Sequence, residues 1–379
     1  MTALLHSHPH DLGSGAAATA MLHGVTARTR GAWRTAHTAV QALTRQPVTT
    51  ADASLFRGVP AIAYALSAAG HPAYEAPLVQ LDTAVATLTR QRLLTAHRRI
   101  DRGEVPRTRE FDLISGLAGL GAYLLHRGHH SPLLHEVLGY LVRLLEEPVT
   151  VAGRPVPGWW SADAPSTRPA SHGHANLGLA HGLAGPIALL ALTARAGHTV
   201  PGQLQALASA CQVLTHRRLE PPGHAPGWPE TLTLDEWEQH RPHQRLPGRP
   251  SWCYGTPGIA RALQLAALAC HDPQQQRLAE TALWDCLDDE RQLSLLSEDS
   301  VCHGWAGLLL TAHLTATDAP ENPQHRLAEL TNRLTAGARS QPAVPPGLLT
   351  GSDGVLLVQR TLETADPVDP TWATCLLLT

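Results

Sequence analysis

Residues 252–263, WCYGTPGIARAL, join a Gly-x-x-Gly pattern to an apolar run, and this combination decides the fold. Helices that are hydrophobic nearly all round are typical of a position buried on every side. The pattern, with Gly or Ala at its second conserved place, occurs six times: LFRGVPAIAYAL, LISGLAGLGAYL, GLAHGLAGPIALL, WCYGTPGIARAL, VCHGWAGLLLTA and LLTGSDGVLLVQ, with first glycines Gly58, Gly116, Gly182, Gly255, Gly304 and Gly351.

Helices of a second kind are predicted between the copies. The stretch 276–289, QRLAETALWDCLDD, carries its apolar residues on one stripe and its charged residues outside it. Similar amphipathic stretches occupy about 16–44, 75–98, 132–146, 202–218 and 323–338. Alternating outer and inner helices predict an all-α fold, an α/α toroid of six inner and six outer helices forming one domain over 1–379. An open solenoid is the competitor, but solenoids usually stack regular short repeats.

The composition excludes several classes of protein. Of 379 residues, 43% are hydrophobic and 16% charged, which excludes a disordered chain. The net charge of −3 gives no basic excess for nucleic acid. The chain contains no lysine, which excludes lysine Schiff-base chemistry and a phosphate-binding loop with its lysine. The 23 histidines are too many to be mostly ligands, and His6, His8 and His10 are predicted on the solvated surface.

The six cysteines indicate a reducing compartment. They are widely spread, and no pair has Cys-x-x-Cys spacing. The N-terminal residues lack the basic and apolar regions of a secretory signal, and no apolar run is long enough for a transmembrane helix. We therefore expect a cytoplasmic protein without disulfides. A peripheral position at the membrane, within a biosynthetic complex, is the open alternative.

Two irregular segments interrupt the helices, at 147–175 and 219–251. The second contains seven prolines and leads directly into WCYG. Long loops inside a compact domain are usually functional or disordered. We expect both segments to form a lid or to line the mouth of the ring.

The reactive residues fall at one register of the repeat. Two positions before the first glycine stand Cys253 and Cys302, and one position before it stand His181 and His303. In a ring these positions face a common axis. We therefore expect Cys253, Cys302 and His303 to meet at the mouth, with His181 nearby.

Two thiolates and one imidazole are typical ligands of a zinc ion that keeps one coordination position open. Three protein ligands leave a fourth tetrahedral position for water or substrate, which marks a catalytic site. For each cysteine alone, a buried apolar thiol is the alternative. The shared register and the adjacent histidine favour the metal for Cys253 and Cys302, whereas Cys211, Cys270, Cys286 and Cys375 lie on predicted helices or in the tail and are read as structural.

Two further residues allow two interpretations each. Asp112 stands three residues before Ser115 and is a favoured residue type for a helix N-cap. Arg249 stands four residues before Cys253, and a solvated loop arginine or a salt bridge is its default role. From the residues alone these structural roles stay open beside catalytic ones.

The motifs WCYGTPG, CHGWAG and NLGLAHGLAG resemble those of the lanthionine synthetase C-like (LanC) family, from about residue 50 to the CLLL near the end. The resemblance implies an α/α toroid with one zinc ion, held by Cys253, Cys302 and His303. It implies a catalytic histidine at His181, and it points to Asp112 in FDLISGLAG and to Arg249 before WCYG. The first motif departs from the pattern with Ala61, and the last reads TGSDG, but neither carries a ligand.

The implied activity is that of a class I lanthipeptide cyclase, in which a cysteine thiol of a dehydrated precursor peptide adds to dehydroalanine or dehydrobutyrine. A coordinated thiol is deprotonated near neutral pH, and the resulting enolate needs a proton. His181 is the expected acid with Asp112 beside it, although a base role is open, and Arg249 would stabilise the enolate oxygen. The expected partners are the precursor with its leader, a separate dehydratase and an exporter.

Three alternatives remain at this level. The first is glutathione addition to dehydroamino acids, as in some relatives of the family. The second is a non-catalytic zinc scaffold of a biosynthetic complex, which loss of His181 or Asp112 would have favoured. The third is peptide prenylation on zinc, which calls for a basic pocket and preferably lysine.

Overall fold

The computed structural model describes residues 10–45, 48, 52–128, 132–164, 170–320, 327, 328, 330–332, 344–363, 365 and 367–379. These residues are mostly helical, as predicted. The helices are α1 (Ala16–Arg30), α2 (Trp33–Leu43), α3 (Val59–Ala69), α4 (Glu75–Asp101), α5 (Thr108–Phe111), α6 (Leu117–Arg127), α7 (Pro132–Glu146), α8 (Ala184–Arg195), α9 (Gln203–His216), α10 (Leu234–Gln239), α11 (Thr256–Cys270), α12 (Pro273–Asp288), α13 (Glu290–Leu293), α14 (Trp305–Asp318) and α15 (Ser352–Thr361), with 3₁₀ turns at Pro72–Tyr74 and Pro370–Leu376.

The buried helices form a closed ring, which confirms the toroid. In chain order they are α1, α3, α6, α8, α11, α14 and α15, and each packs against the next. The last of them packs against α1, so the ring closes. Helices α2, α4, α7, α9 and α12 lie between them in the chain and expose one side, as amphipathic outer helices should.

The described part of the ring has seven inner helices, one more than the repeat count predicts. The stretch 16–44 is not one outer helix: it divides into α1 and α2, and α1 is buried along most of its length. A glycine, Gly15, precedes α1 in the extended conformation, as Gly116 precedes α6. The segment LGSGAAATA is therefore a seventh copy of the repeat, whose alanine-rich run concealed it.

The turns before the inner helices are joined by a belt of backbone hydrogen bonds. This belt links neighbouring turns through residues two or three positions before the first glycine. It consists of bonds from Leu113 N to Ala180 O, Ala180 N to Cys253 O, Cys253 N to Cys302 O, Cys302 N to Leu349 O, Leu349 N to Gly13 O and Leu12 N to Phe56 O, at 2.8–3.3 Å. Residues of one register thus lie side by side at one end of the ring, here called the mouth.

The second glycine of the repeat permits this tight turn. A Cβ atom at Gly258 would lie 2.0 Å from Trp252 O, and one at Gly307 would lie 1.9 Å from Val301 O. Contacts of that length do not occur in folded proteins, so only glycine fits there. In the copies that carry this second glycine, the first turn of the inner helix therefore comes very close to the strand-like residues before it.

The C-terminal residues lie inside the ring. The hydroxyl of Tyr64 on α3 donates to Trp372 O, and Trp252 Nε1 donates to Leu376 O. Arg261 on α11 donates through Nε and Nη2 to Leu378 O, at 3.1 and 2.8 Å. Residues 372–378 are almost completely buried between α3, α6 and α11. We call 370–379 the plug.

The two irregular segments pack against each other. Strand β1 (Val149–Val151) pairs with β2 (Arg154–Val156), and β3 (Ala175–Asn176) pairs with β4 (Thr231–Leu232), which joins one segment to the other. Trp237 contacts Trp159 and Trp160 edge-on, at 5.7 and 6.0 Å between ring centroids. The lid or mouth-lining role of 147–175 and 219–251 stays a prediction.

Three smaller expectations have separate outcomes. Of the predicted outer stretch 323–338, only 327, 328 and 330–332 are described, and they are helical. His6 and His8 lie outside the described residues, and the prediction of a solvated His10 is wrong, because His10 is buried with Nε2 2.8 Å from Leu43 O. Among the described helices, none combines the length and the apolar character needed to cross a membrane. The single domain over 1–379 stays a prediction.

Candidate metal centre and proton-transfer pair

Cys253, Cys302 and His303 come together at the mouth. One ligand atom from each of the three lies within 4.8 Å of the others. The belt bond from Cys253 N to Cys302 O, 3.3 Å long, brings the two cysteine turns side by side. Because His303 follows Cys302 directly, the same turn supplies a thiol and an imidazole.

The chemistry of this cluster fits a zinc ion. The hydrogen bond with Cys302 holds the pKa of Cys253 well below its usual value; burial opposes this, and His303 contributes to the decrease. The same bond raises the pKa of Cys302. Two thiols so close cannot both ionise unless a cation neutralises them, and two thiolates with one imidazole are a set that Zn²⁺ prefers.

Glu298 orients the imidazole, a role that the sequence did not reveal. Its Oε1 lies 2.9 Å from His303 Nε2. This contact leaves Nδ1 as the nitrogen available to a metal. Metal-ligating histidines commonly donate their other nitrogen to a carboxylate, which fixes the tautomer and the ring plane.

Asp112 and His181 form a second cluster. Asp112 Oδ2 lies 2.6 Å from His181 Nδ1, and Oδ1 accepts a hydrogen bond of 2.7 Å from Ser115 N. Asp112 is not the N-cap residue of α6, which is Gly116. Its carboxylate instead holds the turn before α6 through Ser115 N and contacts the imidazole of His181. The Asp112 side chain is 1% exposed and that of His181 is 35% exposed, so the imidazole faces the mouth while its partner is buried.

The electrostatics of His181 connect the two clusters. Burial lowers the pKa of His181, but the hydrogen bond and the charge of Asp112 outweigh it, and the charge of Cys253 adds to them. The net effect is a pKa above 6.5, the ordinary value. His181 thus carries its proton more readily than a free histidine does, close to the cysteine cluster.

Arg249 lies against the cysteine cluster and carries an unused donor. Its charge lowers the pKa of Cys302, against the stronger effects of Cys253 and burial, and also that of Glu230. Nε of Arg249 is buried, and no acceptor among the described residues is within hydrogen-bond reach of it. Buried donors are normally paired, so an orphaned one beside reactive groups indicates an absent acceptor.

Two more residues of the site were not singled out from the sequence. Glu230, next to β4, is close enough to Cys253 and Arg249 for their charges to act on it, and burial is the main cause that raises its pKa. The ring of Tyr254 lies 6.1 Å from that of His181. Tyr254 occupies the same register as His181 and His303, so the repeat alignment was the signal for it.

The remaining cysteines lie away from this cluster. Burial raises the pKa of Cys211 and of Cys375 to about 12 and also raises those of Cys270 and Cys286. Within the described residues, Cys253, Cys302 and His303 are the one group of three close metal-ligating side chains.

The chain is similar to known proteins in sequence and in fold. Residues 6–377 match the sequence model of the family described as "Lanthionine synthetase C-like protein". The nisin biosynthesis protein NisC of Lactococcus lactis subsp. lactis is 27% identical over 203 residues, which are 53% of this chain. That alignment spans 48% of the relative, about half of its length.

A solved structure has the same fold. The structure of nisin cyclase superposes with a TM-score of 0.82, covering 98% of this chain and 92% of that one, at 21% sequence identity. The helical toroid is thereby confirmed.

Proposed function

The chain belongs to the lanthionine synthetase C-like family, and we propose that it is a zinc-dependent lanthipeptide cyclase. The substrate would be a precursor peptide that carries cysteines and dehydrated serine or threonine residues. A cysteine thiol adds across the alkene of dehydroalanine or dehydrobutyrine. The thiol first gives up its proton to a base or to solvent. The S–Cβ bond then forms, the π electrons of the alkene move to the carbonyl as an enolate, and Cα takes up a proton, so the mass of the peptide does not change.

One observation carries the proposal. The metal-ligating cluster of Cys253, Cys302 and His303 stands beside a proton-carrying pair, Asp112 and His181. Thiol addition needs both functions. One group must lower the pKa of the thiol so that it ionises, and another must deliver a proton to Cα. Either cluster alone would support a weaker conclusion.

The three cluster residues would hold the zinc ion. The ion would supply Lewis acidity, which deprotonates a coordinated thiol near neutral pH. Glu298 would keep the imidazole of His303 in place, and the backbone bond between Cys253 and Cys302 would keep their turns in register.

His181 would act as the acid that protonates Cα. Asp112 occupies Nδ1, so Nε2 is the atom free to give or take a proton. The raised pKa of His181 makes its imidazolium more available than that of a free histidine at the same pH, which supports the acid role over the base role. The exposed side of the ring is open to a peptide at the mouth.

Arg249 would stabilise the enolate. Its buried Nε lacks an acceptor among the described residues, and a developing oxyanion is an acceptor of the right charge. A preorganised donor of this kind stabilises the transition state more than the neutral carbonyl of the substrate.

The partners follow from the reaction. The alkene must be made before the ring can close, so an enzyme that dehydrates serine and threonine would act first. We infer a separate dehydratase, with an exporter for the finished peptide, in the cytoplasm or at the membrane surface.

The test is ring closure in vitro. Zinc-loaded protein is incubated with a peptide that contains one cysteine and one dehydroalanine. Any remaining free thiol is then alkylated, and mass spectrometry measures the fraction of peptide that carries the alkyl group. Cyclisation consumes the thiol without changing the mass of the peptide. A rate no higher than without protein would overturn the proposal.

The same assay separates the alternatives. With glutathione present, a glutathione-adding protein gives a peptide heavier by one glutathione. A prenylating enzyme supplied with an isoprenoid diphosphate adds the mass of the isoprenoid. A non-catalytic scaffold leaves both thiol and alkene unchanged.

A further inference from the structure

A basic cavity lies beside the mouth, between the end of α9 and the loops of the 219–251 segment. Its volume is about 460 Å³. It is lined by residues from His216–Pro222 and from His240–Leu246, among them Arg217, Arg218, Arg241 and Arg245, but only one carboxylate, Glu220. We call it the arginine cavity.

Arg217 places an uncompensated charge in the wall of this cavity. It is 7% exposed, and its guanidinium stacks 4.2 Å above the ring of Trp237. Nη2 donates to Trp237 O at 2.9 Å, whereas Nη1 has no partner among the described residues. Burial lowers the pKa of Arg217, and no carboxylate raises it. A buried cation without an anion is costly, which favours a negative group nearby.

The exposed arginines of the cavity add to this charge. Arg218 pairs with Glu220, which neutralises both. The described residues place no carboxylate within 4.0 Å of Arg241 or Arg245, and both are solvent-exposed. The cavity therefore has at least three positive charges in excess.

A larger cavity on the other side of the mouth shows the contrast. It measures about 880 Å³ and is also rich in arginine. There four of the five lining arginines are paired with carboxylates: Arg57 with Asp11 at 3.7 Å, Arg99 with Glu110 at 2.7 Å, Arg107 with Asp163 at 2.7 Å and Arg109 with Asp52 at 4.0 Å. The fifth, Arg92, donates to the backbone oxygens of Ser115 and Ala53. Size and arginine content alone thus do not distinguish the arginine cavity, whereas its missing counter-charges do.

We propose that the arginine cavity binds carboxylate side chains of the substrate peptide, in a segment outside its ring-forming residues. This inference rests on the proposed function. Pro221, Pro242 and Leu246 give the walls apolar surface for the residues between the carboxylates. Gln244 of the wall accepts a hydrogen bond of 3.1 Å from Glu230 N, and Glu230 lies near Cys253. A peptide held here would continue toward the cysteine cluster.

The test is peptide binding to the zinc-loaded, full-length protein. The probe is a fluorescent peptide that alternates aspartate or glutamate with leucine and lacks cysteine and dehydrated residues. A matched peptide carries asparagine and glutamine instead. We expect fluorescence anisotropy to show binding of the acidic peptide only, weakened by added salt because the contacts are charged.

Variants locate the binding. Reversing both exposed charges, Arg241→Glu with Arg245→Glu, should weaken binding about tenfold or more, which equals ~1.4 kcal/mol. Arg217→Gln should also weaken binding of the acidic peptide. If this substitution of a buried residue unfolds the protein, the double variant at the exposed Arg241 and Arg245 still tests the proposal. Arg90→Gln, exposed on α4, is the control and should bind as wild type does. Equal binding by the double variant and wild type would overturn the proposal, as would binding of inorganic phosphate at this cavity without binding of the acidic peptide.

The failure of this proposal is distinguishable from failure of the proposed function. The probe has no reactive groups, so its binding does not depend on catalysis. If the wild-type protein binds the probe through these arginines but closes no rings, the cavity stands and the cyclase proposal fails. If it closes rings but the charge reversals leave binding unchanged, only the cavity proposal fails.

Discussion

The thiols of Cys253 at the mouth and Cys375 in the plug are both buried, yet their surroundings differ. Cys253 is 5% exposed and Cys375 is 0% exposed. Burial raises the pKa of Cys375 to about 12, and its Sγ donates to the backbone oxygen of Trp372, at 3.3 Å. The pKa of Cys253 is lowered instead, first of all by the hydrogen bond with Cys302.

The comparison shows what burial does and does not decide. Burial alone makes a thiol harder to ionise and therefore inert. Reactivity requires partners, and here the repeat supplies them, because the backbone belt sets equivalent residues of neighbouring turns next to each other. At the mouth, polar side chains lie together where the inner helices begin. In the plug, mostly apolar side chains fill the space between the same helices.

The largest expected effect comes from removing a cysteine at the mouth. Cys302→Ala should lose zinc and reduce ring closure to the rate without protein, because two ligands do not hold the ion as three do. Cys375→Ala is the matched change in the plug; it should keep zinc and activity and lose about 1 kcal/mol of unfolding free energy from the small void. Elemental analysis and the thiol-trapping assay measure both. Full zinc content in Cys302→Ala would contradict the assignment.

The two histidines of the mouth should separate metal binding from proton transfer. His181→Ala should retain zinc but slow ring closure by about 10²–10⁴-fold, the usual contribution of a general acid or base. His303→Ala should weaken zinc binding itself. Zinc content is measured beside the cyclisation rate for each variant. If His181→Ala loses zinc while His303→Ala keeps it, the roles are exchanged.

Glu298 should act only through His303. Glu298→Gln keeps the size of the side chain but removes its charge, and loss of such an outer partner typically lowers metal affinity by about 10–100-fold. Competition with a chromogenic chelator measures the affinity without reference to catalysis. Glu136→Gln, exposed on α7, is the control and should leave zinc affinity unchanged. Equal affinities for the two variants would remove Glu298 from the site.

The sequence predicted the parts of the site that the repeat carries. Two adjacent positions of the repeat carry Cys253 and Cys302, and His181 and His303. A ring brings equal repeat positions next to each other, so the sequence alone predicts that these side chains lie close together. Glu298 could not be predicted, since its carboxylate reaches His303 only through the conformation of the turn at 298–304, where Trp305 N bonds to Glu298 O.

The errors have physical causes as well. The sequence pattern places α1 within an outer helix, because its alanines, threonines and His23 do not form the apolar run of the other copies. In the structure, contacts with α3 and α15 bury it. The plug was not foreseen, because its place depends on the distant residues Tyr64, Trp252 and Arg261.

A smaller effect is expected when the charge of Asp112 is removed. Asp112→Asn keeps an oxygen for Ser115 N but no longer raises the pKa of His181. A histidine whose folded pKa exceeds 6.5 stabilises the native state below 6.5 and loses that contribution as the pH rises through the folded pKa. The variant should therefore be less stable than wild type mainly at mildly acidic pH, with a gap that narrows on the alkaline side. Urea unfolding across this pH range measures the gap; one that widens with pH would contradict the pair.

The smallest effect should come from the plug and should leave the mouth untouched. The Tyr64 hydroxyl bonds to Trp372 O and to Cys375 N, both at 2.9 Å. In Tyr64→Phe, Cys375 N loses this acceptor, and Trp372 O keeps the weaker Sγ donor of Cys375. Leaving buried polar groups unpaired costs about 1–3 kcal/mol, so the free energy of unfolding should fall by that amount. Tyr74→Phe, whose hydroxyl meets only the half-buried His37, is the control and should cost less. Zinc content and ring closure should stay at wild-type levels, because the bond from Cys253 N to Cys302 O and that from Trp252 Nε1 to the plug do not involve Tyr64. A loss of zinc in Tyr64→Phe would show that the plug and the mouth are coupled, and would contradict the prediction that a change in the plug leaves the metal site intact.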